Sequence, residues 1–421
     1  MTRAGAGMKS GLVRGASALW ALISQGANSG SNMLLGVLVA RASTPAEFGL
    51  WSLGYIFYMV TVGTSRAACS TPILIHRGTA PSLVSRSGSV TLAMLIGAAA
   101  STVIASAYLF APSFFAVAWP FALFLPLISV QDVLRSICFR EASNKGAAGV
   151  DLSWLVLQIA FSVPLIARAD DSPVSLTFAW GAAGALAVCA SALVMGVVPS
   201  VRSLRVVLRS GNRDRVKLSV DQLLLNARTH ATPALLAATA GLVVTGTIRA
   251  GQTMMGAINA LIQGLTPVAT VSAAKKLDSG FTANKFVLVW SGVIASLAAV
   301  NGLLLLAIPD SWGEVILGAN WAGASSIFIP LVLQTVVRGP NTATPIVLKV
   351  RGHMNEVLKL RARTVFPAVA VPVALGTIYG ISGAAWGIAA TAVLTCFQSW
   401  IALRRSNRMQ LERRLLEGED C

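Results

Sequence analysis

The stretch KFVLVWSGVIASLAAVNGLLLLAI at residues 285–308 carries one charged side chain, Lys285, at its first position. As an α-helix rising 1.5 Å per residue it would be about 36 Å long, enough to cross the roughly 30 Å hydrocarbon core of a bilayer. A helix also satisfies its own backbone hydrogen bonds, which lipid cannot do for it. The stretch therefore predicts a transmembrane helix.

Comparable apolar stretches recur along all 421 residues. Apolar residues make up 55% of the chain and charged residues 12%, and the mean hydropathy is +0.71, well above what a soluble domain needs. These values predict an all-α integral membrane protein with about 12 transmembrane helices. The predicted spans are 12–40, 48–72, 83–109, 112–135, 147–168, 175–199, 218–240, 243–270, 285–308, 321–345, 362–379 and 382–403.

The spans form two sets of six, separated by a basic segment. A basic residue followed by glycine lies after the fourth span of each set, as Lys145-Gly146 and Arg351-Gly352. Internal repeats of this kind are typical of transporters built from two lobes. The predicted domains are an N-terminal six-helix lobe at 1–199, a basic cytoplasmic linker at 200–217, a C-terminal six-helix lobe at 218–404 and a cytoplasmic tail at 405–421.

The distribution of charge predicts the orientation in the membrane. The chain has 33 Lys and Arg against 16 Asp and Glu, giving a net charge of +17. Of the 33 basic residues, 27 fall on the side of the linker, two (Arg41 and Arg168) on the other side, and four within spans. The positive-inside rule then places both termini in the cytoplasm, in a multi-pass protein of the cytoplasmic membrane. A basic face beside anionic lipid headgroups explains the charge without a nucleic-acid partner.

The chain shows few signs of catalysis. The five cysteines are scattered without a C-x-x-C pair, and there is no nucleotide-binding G-x-x-x-x-G-K-[ST] motif, so we expect no metal, no cofactor and no catalytic residues. A glycosyltransferase, polymerase or acyltransferase would need acid–base or metal groups on substantial loops. The longest predicted outer loop, 309–320, offers only Asp310 and Glu314. A membrane enzyme therefore remains the less favoured alternative.

Four arginines, Arg66, Arg228, Arg249 and Arg338, fall inside the predicted spans. A charge at bilayer depth costs about 2.5–3.5 kcal/mol on insertion scales, so such residues usually face a water-filled cavity. Arg228 lies about 15 Å from the cytoplasmic start of its span. Arg249 lies about 9 Å from the outer end of its span, so it could instead reach the headgroups. Arg66 and Arg338 could likewise reach the cytoplasmic interface.

Polar residues at helical spacing predict where such a cavity would be lined. Intervals of three and four residues place side chains on one helical face. The same amides could instead hold neighbouring helices together. The predicted lining residues are Gln25, Asn28 and Asn32 on the first span; Gln252, Asn259 and Gln263, beside Arg249, on the eighth; and Gln334 and Asn341, beside Arg338, on the tenth.

Two further stretches resemble a known family. These are Val39-Ala40-Arg41-Ala42-Ser43-Thr44-Pro45-Ala46-Glu47-Phe48-Gly49-Leu50 and Gly246-Thr247-Ile248-Arg249-Ala250-Gly251-Gln252. They are similar to the Wzx-type polysaccharide repeat-unit flippases of the MOP exporter superfamily, which also holds lipid II flippases and MATE drug exporters. The resemblance implies two six-helix bundles in a V shape around a cationic cavity that opens alternately to the two leaflets. It implies a polyprenyl-pyrophosphate-linked oligosaccharide as cargo, with a polysaccharide polymerase or glycosyltransferases as possible partners.

The acidic residues bear on the choice between an anionic and a cationic cargo. Asp132, Asp151 and Asp221 lie near cytoplasmic ends of spans, and Asp132 has Arg135 one turn along as a local partner. No acidic residue is predicted near the midplane, so the four arginines leave an excess of positive charge there. Such an excess suits a pyrophosphate, which arginine binds bidentately. It disfavours a MATE-like cation exporter, whose sites need buried acids.

Overall fold

The computed structural model describes residues 3–75, 82–141, 143–209, 212–278 and 282–416. These residues form seventeen α-helical segments and contain no strand. Each of the twelve predicted spans is helical over most of its length. The prediction of an all-α membrane fold is therefore confirmed. The tail predicted at 405–421 is described only to residue 416, and residues 210–211 of the linker lie outside the description.

The chain separates into two compact units: residues 1–43 with 50–223, and residues 44–49 with 224–421. We call them the N-terminal and the C-terminal unit. In the N-terminal unit, helix α2 continues through a π-helical turn, Arg66–Ser70, into α3. The helices are α1 (Arg3–Arg41), α2 (Pro45–Ser65, whose first turn belongs to the other unit), α3 (Thr71–Ile75), α4 (Leu83–Ser106), α5 (Pro112–Arg140), α6 (Asn144–Ala167), α7 (Pro173–Val194) and α8 (Val201–Arg209).

The C-terminal unit holds most of α9 and all later helices. Its helices are α9 (Asn212–Thr239), α10 (Leu242–Met254), α11 (Gly256–Asp278), α12 (Ala283–Leu306), α13 (Asp310–Leu317), α14 (Trp321–Ser326), α15 (Phe328–Val336), α16 (Gly339–Val350) and α17 (Met354–Leu416). Helix α17 contains the eleventh and twelfth predicted spans, because it turns at Gly380, where φ is +63°.

The two halves of α17 pack closely because glycines of the second half lie against the backbone of the first half. A Cβ on Gly383 would lie 2.1 Å from the carbonyl oxygen of Leu375, and one on Gly387 would lie 2.6 Å from Cα of Pro372. Only glycine leaves room for that approach. The boundary predicted between spans 362–379 and 382–403 is therefore placed correctly.

Two predicted spans are broken rather than straight. The span 243–270 is interrupted at Met255, between α10 and α11. The span 321–345 is divided into α14, α15 and α16, and the segment 310–326 meets 328–350 at a bend of 72°. The polar residues predicted along each of these spans therefore lie on more than one helix.

Six helices of the described chain are long and apolar enough to span a bilayer, or seven if the bent pair counts as one span. They include α4 through α7, α12 and α17. The other predicted spans are helical but shorter or more polar. Helix α10 has 13 residues, and α1 carries Gln25, Asn28 and Asn32 in its middle. Interrupted and polar helices of this kind are typical of membrane proteins that carry cargo.

The two stretches that carry the family resemblance contact each other inside the C-terminal unit. Thr44 and Glu47 cap the start of α2: the backbone N–H of Thr44 donates to the Glu47 carboxylate at 2.8 Å. One turn further, a Cβ on Gly49 would lie 2.0 Å from the carbonyl oxygen of Leu242. A Cβ on Gly246 would lie 1.9 Å from the carbonyl oxygen of Pro45. Glycine at both positions therefore allows α2 and α10 to pack backbone against backbone.

Candidate functional site

Three arginines of the C-terminal unit form a cationic cluster: Arg228 on α9, Arg338 just before α16, and Arg361 in the first half of α17. Electrostatic repulsion acts between Arg228 and both other arginines, and between Arg338 and Arg361. All three side chains are half-buried. We refer to these three residues as the arginine cluster. Charges brought together in this way are costly unless a counter-charge arrives.

The hydrogen-bond partners of Arg228 and Arg338 are neutral. Nη2 of Arg228 donates to the hydroxyl of Thr395 at 3.2 Å. Nη1 of Arg338 donates to the side-chain oxygen of Asn259 at 2.8 Å. Among the described residues neither arginine forms an ion pair with a carboxylate. Both guanidinium groups therefore keep their full charge and several N–H donors for a ligand.

The position of Arg338 follows from the sequence that comes after it. Pro340 occupies the first turn of α16, where its missing N–H costs nothing. A Cβ on Gly339 would lie 2.4 Å from Cα of Ser291, so glycine lets α16 start in direct contact with α12. Arg338 is the residue at which the bent chain enters α16, and its carbonyl accepts a 3.1 Å hydrogen bond from the Thr342 N–H.

Further polar contacts join α16 to the second half of α17 around Thr395. The amide nitrogen of Asn341 donates to the carbonyl of Ala392 at 3.3 Å, and the hydroxyl of Ser399 donates to the Asn341 side-chain oxygen at 3.1 Å. Thr395 lies between these two contacts on α17. Asn341 lies one turn beyond Arg338, and Thr395 binds Arg228, so these contacts bring Arg228 and Arg338 close together.

Helix α9 contacts the first half of α17, and Arg228 and Arg361 are close enough for their charges to interact. The hydroxyl of Thr232, one turn beyond Arg228, donates to the carbonyl of Ala368 at 3.0 Å. Ala368 lies two turns beyond Arg361 on α17. Arg361 was missed from sequence because it falls one residue before the predicted span 362–379. The signal that could have revealed it is a basic residue at the very start of an apolar run.

The remaining predicted residues of this unit lie on α10, α11 and α15. Arg249 is half-buried and close enough to His230 on α9 for their charges to interact. Gln252, Asn259 and Gln334 are half-buried, whereas Gln263 is exposed. The structure joins Asn259 directly to the arginine cluster, and places Arg249 with His230 instead.

In the N-terminal unit, Arg66 has a carboxylate partner that was not predicted. Its Nε and Nη2 donate to the two carboxylate oxygens of Asp132 at 2.9 and 3.0 Å. Arg135 lies 3.6 Å from the same carboxylate, as expected from its position one turn along. The expectation that Arg66 carries uncompensated charge is therefore wrong. The partner, Asp132, lies on α5, and Arg66 is the first residue of the π-helical turn Arg66–Ser70. Such turns are frequent at functional sites.

A second buried carboxylate, Asp151 on α6, organises the polar residues of α1. It accepts hydrogen bonds from Ser24 and Gln131, and Arg135 lies 3.5 Å away. The predicted lining residues are linked to this network: Gln25 accepts from Arg135 at 3.5 Å and Asn28 accepts from Gln131 at 3.5 Å. Asn32 accepts from the Tyr55 hydroxyl at 3.3 Å.

The charges of this network balance: Arg66 and Arg135 face Asp132 and Asp151. The network also joins α1, α5 and α6, so its amides hold these helices together. Both carboxylates of the network, Asp132 and Asp151, are buried among these helices.

Replacing Asp132 by asparagine is expected to lower the free energy of unfolding by about 1–3 kcal/mol. Removing one partner of a buried ion pair leaves the other unpaired, and the partial exposure of Arg66, at 42%, limits the loss. Thermal unfolding in detergent measures the effect. The double variant Arg66→Gln/Asp132→Asn should regain part of the loss, and Glu314→Gln, at an exposed carboxylate, should change little. Equal stability of Asp132→Asn and wild type would contradict the pairing.

Comparison with solved structures places this fold among known transporters. No protein-family profile matches the sequence, and no curated protein matches it either. The chain is similar to an inward-facing multidrug resistance MATE family transporter of the MOP superfamily, with a TM-score of 0.67, 14% identity, and coverage of 91% of this chain and 96% of that one. An outward-facing structure of such a transporter gives a TM-score of 0.62, 12% identity, and coverage of 92% and 94%.

A third similar structure is a MOP superfamily transporter from Pyrococcus furiosus. A reverse polarity of its binding pocket has been taken to suggest a different function for that protein. The TM-score is 0.61 at 14% identity, with coverage of 92% of this chain and 94% of that one. The helices that hold the arginine cluster and the carboxylate network thus belong to a chain with the fold of the MATE transporters of the MOP superfamily.

Proposed function

We propose that this protein is a flippase that moves a polyprenyl-pyrophosphate-linked oligosaccharide across the cytoplasmic membrane by alternating access, for surface polysaccharide assembly. The observation that carries the proposal is the arginine cluster, in which Arg228 and Arg338 meet only neutral hydrogen-bond partners among the described residues. The similarity of the fold to transporters supports a transport role. The two stretches around Gly49 and Gly246 support the polysaccharide branch by resemblance.

The chemistry of a diphosphate suits this cluster. Each guanidinium group offers five N–H donors in a planar fork that matches two phosphate oxygens. Charge-assisted hydrogen bonds of this kind are about twice as strong as neutral ones. A diphosphate bound at the cluster would also remove the repulsion among Arg228, Arg338 and Arg361. Of the four arginines predicted from sequence, Arg228 and Arg338 belong to the cluster, Arg66 is compensated by Asp132, and Arg249 lies near His230. Arg361 joins the candidate binding residues.

A MATE-like exporter of small cations is the second candidate, because Asp132 and Asp151 are buried carboxylates. Their charge, however, is balanced by Arg66 and Arg135, which lie 2.9 to 3.6 Å from them. The arginine cluster would repel a cation. An enzyme acting on the same lipid-linked glycan is less favoured, because the similar structures are transporters.

Transport by the purified protein in liposomes distinguishes these candidates. The assay follows transbilayer movement of an oligosaccharide linked to a polyprenyl diphosphate, and in parallel the uptake of a fluorescent organic cation. We expect the lipid-linked glycan to reach the opposite leaflet faster than in protein-free liposomes, and the cation not to. Uptake of the cation without movement of the glycan would favour the exporter and reject the flippase.

Partners and orientation follow as part of the same proposal. The cargo would be handed over by glycosyltransferases on the cytoplasmic side and received by a polysaccharide polymerase on the other. Both termini and the helix α8 would then lie in the cytoplasm. Cysteine labelling from either side of the membrane tests this orientation. Labelling of an exposed position of α8, such as Arg205→Cys, only from outside the cell would contradict it.

A further inference from the structure

The nine-residue helix α8 has three distinct faces. Ser203 and Val207, four residues apart, are buried. Arg202, Arg205 and Arg209 recur at intervals of three and four residues, so they share a second, exposed face. The third face is apolar and consists of Val201, Leu204 and Leu208, which are also spaced three and four residues apart. Val201 is 65% exposed and Leu208 is 55% exposed.

The buried face fixes α8 against α4. A Cβ on Gly88 would lie 2.5 Å from the carbonyl oxygen of Ser203 and 2.6 Å from a methyl group of Val207, so glycine at this position allows α4 and α8 to approach closely. Just before α8, the N–H of Ser200 donates to the Thr91 hydroxyl at 2.7 Å. With its rotation fixed in this way, the apolar and basic faces of α8 are both held outward.

The place of this contact on α4 sets the depth of α8. Gly88 lies five residues into α4, or about 7.5 Å from its start, and α4 is one of the helices able to span the bilayer. Apolar exposure continues along the chain from the end of α7 into α8: Leu193, Val194 and Val198 are 79%, 89% and 65% exposed. Helix α8 thus lies at the edge of the apolar part of the N-terminal unit.

We propose that α8 is an interfacial helix that binds anionic lipid headgroups through Arg202, Arg205 and Arg209, with Val201 and Leu208 inserted among the acyl chains. An apolar face beside a basic face is the pattern of helices that lie in the plane of a membrane surface. Arginines next to the hydrocarbon attract the negative surface potential of anionic lipid. The proposal concerns a lipid-binding surface and does not depend on the cargo.

Amide hydrogen exchange of the full chain in nanodiscs tests the proposal. Nanodiscs of phosphatidylcholine are compared with nanodiscs that also contain phosphatidylglycerol. Exchange in the segment 201–209 should be slower by about tenfold or more in the anionic nanodiscs, since three arginines contribute to the attraction. Raising the salt concentration should reduce the difference.

Matched variants separate specific binding from a general effect of charge. The variant Arg202→Gln/Arg205→Gln/Arg209→Gln should lose the protection, and lysine at the same positions should keep most of it. Val201→Asn/Leu208→Asn should lose it as well. The control Arg404→Gln/Arg405→Gln/Arg408→Gln removes three exposed arginines from the end of α17 and should leave exchange in α8 unchanged.

Equal exchange of segment 201–209 in the two kinds of nanodisc would overturn the proposal. The same would follow if the α17 control abolished the protection as fully as the α8 variant, because the effect would then be one of total charge. If inorganic phosphate slowed exchange of segment 201–209 in phosphatidylcholine nanodiscs, the ligand of α8 would be a free anion. That result would also overturn the proposal of a lipid-binding helix.

Discussion

Alanine at Arg228 or at Arg338 is expected to reduce transport of a lipid-linked oligosaccharide about 10- to 100-fold. A hydrogen bond to a charged group contributes about 1.5–3 kcal/mol, and each arginine offers such bonds to one diphosphate. Lysine at either position should recover part of the activity, because it keeps the charge but loses the planar fork. The measurement is transbilayer movement of the glycan in liposomes.

The control for this prediction is an arginine outside the cluster. Arg168 follows α6 and is exposed, so Arg168→Ala should leave transport unchanged. The unfolding temperature separates loss of function from loss of folding. Arg228 and Arg338 have neutral partners and repel each other, so both alanine variants should unfold at or above the wild-type temperature. Full transport by both alanine variants would remove the arginine cluster from the mechanism.

Alanine at Gly246 is expected to destabilise the protein by about 3 kcal/mol or more. The new methyl group would lie 1.9 Å from the carbonyl oxygen of Pro45, a backbone atom that cannot move aside as a side chain does. Overpacking of this kind forces backbone shifts. Thermal unfolding in detergent, followed by size-exclusion chromatography, measures the loss.

Gly292→Ala is the matched control for this substitution. Gly292 also lies in a helix of the C-terminal unit, and a Cβ there would meet no atom within 4 Å. Alanine at Gly292 should therefore be neutral or stabilising by up to about 1 kcal/mol. If Gly246→Ala unfolds at the same temperature as Gly292→Ala, the close contact between α2 and α10 does not exist in the protein.

The helical fold could be predicted from sequence because length and apolar content alone identify a membrane span. The turn at Gly380 was also predictable, since glycine divides two apolar runs there. The break at Met255 was not predicted, although Gly256 follows it directly, because other glycines such as Gly251 and Gly292 lie inside unbroken helices. Breaks of this kind depend on how neighbouring helices pack, which periodicity within one segment does not report.

The candidate site was predictable in part. Charge within apolar segments identified Arg228 and Arg338 without any knowledge of their neighbours. The same reasoning was wrong about the charge of Arg66, because its partner Asp132 lies 66 positions further along the chain. A sequence shows which charges are present in a membrane, whereas pairing between helices decides which of them remain for a ligand.

The two units consequently differ in charge. In the N-terminal unit, Asp132 and Asp151 balance Arg66 and Arg135, and the network stabilises the packing of α1, α5 and α6. In the C-terminal unit, the hydrogen-bond partners of Arg228 and Arg338 among the described residues are neutral. An anionic group of the cargo is therefore expected to bind in the C-terminal unit.

Binding of polyprenyl lipids to the purified protein tests this claim most directly. The affinities for a polyprenyl diphosphate, the corresponding monophosphate and the uncharged alcohol are compared in the wild type and in Arg228→Ala/Arg338→Ala. The account predicts that the wild type binds the diphosphate most tightly and the alcohol most weakly, and that the double variant binds all three about equally. Retention of the full preference for the diphosphate by the double variant would contradict it.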